Sequence, residues 1–117
     1  MIKIKNDGTP VFQGDLAIRA VSALPDQASK SDAQPVIVAH SETGHHHVVV
    51  GDGVTLWNTD HPLLSFLVVR GEATLEHQRA WDTHDPIRLD SGDKPEVIYE
   101  IRRQREHSPD GWRRVQD

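Results

Sequence analysis

Val36-Ile37-Val38-Ala39-His40-Ser41-Glu42-Thr43-Gly44-His45-His46-His47-Val48-Val49-Val50-Gly51-Asp52-Gly53-Val54-Thr55-Leu56-Trp57 contains three short β-branched runs separated by turn residues. Runs of this length, rich in Val, Ile and Thr and cut by Gly, Asp and Ser, are the pattern of strands rather than helices. The pattern continues in both directions. It predicts strands over Asp15–Ser22, Val36–His40, His45–Val50, Val54–Trp57, Leu63–Val69, Glu72–His77, Pro86–Leu89 and Glu96–Arg105. About eight short strands with frequent turns predict an all-β domain, a small antiparallel β-sandwich or barrel of jelly-roll type. Helix signals are weak. The best is the tail after Ser108-Pro109-Asp110, where Ser108 can cap and Pro109 can take the first helical position for one or two turns.

The 117 residues are enough for one core but not two. With no cysteine, disulfide scaffolds, Cys-containing zinc fingers, iron–sulfur sites and thiol nucleophiles are excluded. The longest apolar run, Leu63 to Val69, is interrupted by Ser65 and falls far short of the roughly 20 residues of a membrane span. Met1 to Asn6 lacks the apolar stretch of a secretory signal, so the cytosol is the default compartment. Two stretches differ from core. Residues 1–14 hold turn chemistry, Asn6-Asp7-Gly8-Thr9-Pro10 and Gly14, and read as an N-terminal arm ahead of a single β domain over 15–117. Residues 24–35 form a polar loop without periodicity. Charge is uneven: five arginines against three acids give residues 101–117 a charge of +2, leaving −7 of the net −5 to the rest.

The densest chemistry is the histidine cluster. On a strand, His45 and His47 project to one face about 6.5–7 Å apart, with His46 opposite. Two imidazoles on one face can chelate a divalent transition metal such as Zn, Fe, Mn, Ni or Cu, with His40 or Glu42 beside the pair across a short connection and His77, His84 and Asp52 as candidates for completing the site. The same residues can equally serve hydrogen bonding, packing or an interface without any ion. A third reading is a pH-responsive binding module, because protonating all eight histidines would carry the net charge from −5 towards +3.

In Arg102-Arg103-Gln104-Arg105-Glu106, strand alternation puts Ile101, Arg103 and Arg105 on one face. Paired guanidinium forks can clamp carboxylates or phosphates, or simply form salt bridges to the acidic body. Trp57, Trp81 and Trp112 read as core or interface anchors, and nucleic-acid binding is disfavoured by the acidic whole. No Gly-x-Ser-x-Gly elbow, Walker loop, dinucleotide fingerprint or His-Glu-x-x-His helix occurs, so no catalytic residue is assigned.

Gly14-Asp15-Leu16, Glu42-Thr43-Gly44-His45-His46-His47, Ala73-Thr74-Leu75-Glu76-His77, His84-Asp85-Pro86-Ile87, Arg103-Gln104-Arg105-Glu106-His107 and Trp112-Arg113-Arg114-Val115 together resemble a family of short proteins encoded by bacteria and tailed bacteriophages. That family shows a Gly-His-x-His element, a downstream His pair and an Arg-Gln-Arg-Glu-aromatic ending; here His107 takes the aromatic position. The resemblance implies a context rather than a mechanism: a virion accessory, such as a capsid decoration or cement protein, binding the major capsid protein or itself. Contact residues would then be Ile2, Ile4, Val11 and Phe12 of the arm with Arg103, Arg105 and Trp112. His45-x-His47 also looks like the first two ligands of the cupins, without their following glutamate, which implies a cupin-like metal-binding protein as the alternative.

Overall fold

The computed structural model describes residues 2–39, 46–78 and 83–103. Every regular element among them is a strand: β1 (Ile2–Lys3), β2 (Val11–Gln13), β3 (Leu16–Val21), β4 (Ser29–Ser31), β5 (Val36–Ala39), β6 (His47–Val50), β7 (Val54–Asn58), β8 (Leu64–Val69), β9 (Glu72–Gln78), β10 (Thr83–Asp90) and β11 (Val97–Arg103). They form two sheets, ordered β1-β10-β9-β6-β5 and β2-β3-β11-β8-β7-β4. All pairings are antiparallel except β1 with β10. The expected all-β sandwich is what forms, as two facing open sheets. No helix among the described residues is long and apolar enough to cross a membrane.

Alternation decides which face each strand buries. On β11, Val97, Tyr99 and Ile101 are buried while Ile98 and Glu100 are only partly covered. On β9, Ala73 and Leu75 point inward, and their partners Leu89 and Ile87 on β10 are fully buried beside them. With Leu16, Ile18, Leu67 and Val69 from the other sheet they make one continuous core. Each fully buried side chain of this size contributes roughly 1.5–3 kcal/mol. Pro86 has no N–H for the ladder, and the β9–β10 register slips between His84 and Ile87, where a bulge accommodates it. At the β6–β7 crossing, Gly53 is required by crowding. A Cβ there would fall onto the Arg70 carbonyl oxygen, while the Gly53 carbonyl accepts from the Arg70 N–H at 2.7 Å.

Eleven strands are present where the sequence predicts about eight. The additional ones, β1, β2 and β4, have two or three residues each, too few to display alternation. Residues read as an arm supply the outermost strand of both sheets. Ile4 continues β1 by donating its N–H to the Arg88 carbonyl, and its side chain is 4% exposed within the core. The polar segment 24–35 contains β4, whose Lys30 lies opposite Trp57 of β7. The tail proposed for a helical turn lies outside the described residues.

Candidate functional site

Gln13 ends β2 and pairs with Leu16, so Gly14 and Asp15 form a two-residue hairpin connection. Gly14 has φ +58°, the left-handed backbone such tight turns need. The hairpin tip reaches across to the facing sheet. A Cβ on Gly14 would lie 3.1 Å from His77 Cε1 and 3.3 Å from His47 Cε1, so only a glycine lets the backbone rest against both imidazoles.

Opposite the tip, backbone register sets three histidines in file across adjacent strands: His47 on β6 faces His77 on β9, and His77 faces His84 on β10. The His47 and His77 rings stack with centroids 4.0 Å apart and planes 16° from parallel. His47 is 4% exposed. Gln13, 2% exposed, donates its amide Nε2–H to the Leu75 carbonyl at 3.0 Å, which turns its oxygen toward His47 Nδ1 at 2.8 Å. That oxygen accepts only from an N–H, so a proton sits on His47 Nδ1. Nε2 lies 3.6 Å from Asp15 Oδ1.

Asp15 is also approached by Arg103, whose Nε lies 3.7 Å from Oδ2. The His47 imidazole beside it, with help from Arg103 and against partial burial, holds the Asp15 carboxyl below the usual carboxylate range. Arg103 is positioned by β11, where its N–H donates to the Leu63 carbonyl at 2.8 Å. It also lines a cleft of about 320 Å³ between the sheets, with Asn58, Ser65 and Ser31 among apolar neighbours such as Ile37 and Leu56. The arrangement is a polar clasp joining the two sheets, with one side chain oriented from both ends.

A family model described as a domain of unknown function, DUF8820, matches residues 12–104, which take in the hairpin tip, the histidine file and Arg103. The chain belongs to this family. No curated protein and no solved structure matches it.

In this DUF8820 chain the histidines singled out from sequence divide. His47 and His77 meet; His84 stands next in register, its side chain outside the described part; His45 lies outside the described residues. Among the described residues no three His, Asp or Glu side chains make a closed metal-ligand set. Asp52 sits in the β6–β7 turn beside a different cleft. Of the expected contact residues, Ile2 and Phe12 are exposed, Val11 is partly buried, Ile4 belongs to the core, and Arg105 and Trp112 lie outside the described residues. Trp57 is partly buried and donates its indole N–H to Thr55 Oγ1. Gln13 and Asp15 escape the sequence reading as functional residues. The one signal for them is the Gly-Asp turn between two apolar runs, which marks a hairpin but not what its tip touches.

Proposed function

We propose that this chain is a non-enzymatic contact module that docks onto another protein through the side of the sandwich formed by β1 and β2. The observation that carries this reading is the pair of large apolar side chains on those outermost strands: Ile2, 43% exposed on β1, and Phe12, 46% exposed on β2. β2 lies against β10, the neighbour of β1, so the two edges border the same side of the molecule. Among the described residues neither edge has a strand beyond it. Edge backbone groups with apolar side chains beside them fit strand addition from a partner. The resemblance to proteins of bacteria and tailed phages supports a capsid shell as that partner, with the chain as a decoration or cement protein.

The test is fractionation of virions on a density gradient from the strain that encodes the chain, with immunodetection of the wild type and of the double variant Ile2→Ser, Phe12→Ser. Wild type banding with particles and a variant that stays folded but remains in the particle-free fraction support the reading. Wild type found wholly apart from particles removes the capsid partner. Undiminished particle binding by the variant removes the proposed surface.

A further inference from the structure

We propose that the cleft on the outer face of the six-stranded sheet, beside β7 and β4, binds a neutral sugar ring stacked on Trp57 and hydrogen-bonded by the charged side chains around it. β4 is the edge opposite β2, so the reading is independent of the docking surface.

The cleft is built by the segment between β3 and β4. These two strands are separated by β11, β8 and β7 in the sheet, so residues 22–28 must cross it to join them. Alternation on β7 and β8 sends Leu56, Leu67 and Val69 into the core and turns Thr55, Trp57 and Val68 to the outer face. Val68 is nevertheless only 8% exposed, and Leu24 of the crossing segment lines the same cleft. The polar stretch that shows no periodicity in sequence thus supplies one wall of a cleft of about 390 Å³, within the range of small-molecule sites.

The floor and rim define the ligand. Trp57 is only partly buried, and its indole N–H donates to Thr55 Oγ1 at 3.0 Å, two residues back on the same strand, which fixes the ring along β7. An indole face held in a cleft offers π density to the C–H groups of a flat apolar ligand face. Around it stand Lys30, directly opposite Trp57 in the β4–β7 register, and Asp52, Arg70 and Glu96. Two cations and two carboxylates leave the rim with no net charge, so it favours neither an anion nor a cation. Arg70 is already engaged: its Nε and Nη2 both lie 3.2 Å from Glu96 Oε1, which leaves Glu96 Oε2 outside that pairing. Its N–H donates to the Gly53 carbonyl at 2.7 Å, which sets the turn holding Asp52 against it. Carboxylate oxygens accept from hydroxyls, while ammonium and guanidinium groups donate to them. A ligand with one apolar face and a rim of hydroxyls matches both parts of the cleft, and a pyranose is that chemistry.

The experiment titrates the isotope-labelled, untagged full chain with glucose, galactose, mannose and N-acetylglucosamine, reading the three tryptophan indole N–H signals and the Gly53 and Arg70 amides by NMR. The indole signal missing from Trp57→Leu is expected to move and saturate with at least one sugar at millimolar concentration, while acetate, phosphate and ethylammonium leave it in place. Read from the amides, Trp57→Leu should weaken binding about 10-fold or more through loss of the stacking face. Asp52→Ala and Lys30→Ala, at exposed positions, should each weaken it about 10-fold. Circular dichroism checks each variant; should Trp57→Leu fail to fold, the two exposed variants decide. No saturable shift with any of the sugars overturns the site, as do shifts confined to the other two indoles, binding undiminished in the folded variants, or tighter binding of acetate, phosphate or ethylammonium than of any sugar.

Discussion

Gly14 is where the fold and the clasp constrain the same atom. At φ +58° with two imidazole edges within 3.3 Å of where a Cβ would stand, Gly14→Ala is expected to lose about 1–2 kcal/mol from backbone strain alone. Urea denaturation measures this, and an unchanged midpoint would show that the hairpin tip is not held against the histidines. Gln13 is the other sensitive residue. Gln13→Leu keeps the volume but leaves the His47 Nδ1–H and the Leu75 carbonyl without their partner, at a cost of about 1–3 kcal/mol. At this scale the sequence is half informative. His47 and His77 stand out by residue type, but that they share a row depends on β6 pairing with β9, which brings together residues 30 positions apart. Gln13 and Asp15 reach them from the opposite sheet, and no local pattern encodes such a contact.

Among the elements, β11 is the best anchored, flanked by β3 and β8 with Tyr99 at its centre. The Tyr99 hydroxyl donates to Asn6 Oδ1 at 2.7 Å, and Asn6 Nδ2 donates to the Asp90 carbonyl at 2.7 Å, which ties the loop after β1 to the end of β10. Burial raises the Tyr99 phenol above its ordinary value of 10.0. A neutral phenol favoured by the fold stabilises fully below pH about 10, and the contribution is lost as pH rises through the raised folded value. Because Tyr99 is the one tyrosine of the chain, absorbance titration reads it directly. A midpoint above 10 that coincides with or precedes alkaline unfolding is expected; a midpoint at 10 in folded protein would place the phenol in water. The eight longer strands were legible because four or more residues of alternating or β-branched sequence suffice to show a period of two. β4, Ser29-Lys30-Ser31, has no apolar residue at all and is a strand only because β7 offers it a partner.

For the whole molecule, the N-terminal segment is both structural and available. Ile4 is core and Phe12 is surface, so Ile4→Ala should cost about 2 kcal/mol or more while Phe12→Ala changes stability by less than about 0.5 kcal/mol. Equal effects would mean that the segment is packed uniformly. The sequence shows the segment's apolar residues and its turns. Which of them face inward follows only from β1 joining β10, a pairing between residues 85 positions apart, and from β2 folding back on β3.

Hydrogen exchange on the particle-bound and free protein tests the docking surface most directly. The expected result is slowed exchange on binding at Ile2–Lys3 and Val11–Gln13, with β4 and β5 on the opposite side unchanged. Slowing confined to β4 and β5, or an identical profile in both states, would contradict it.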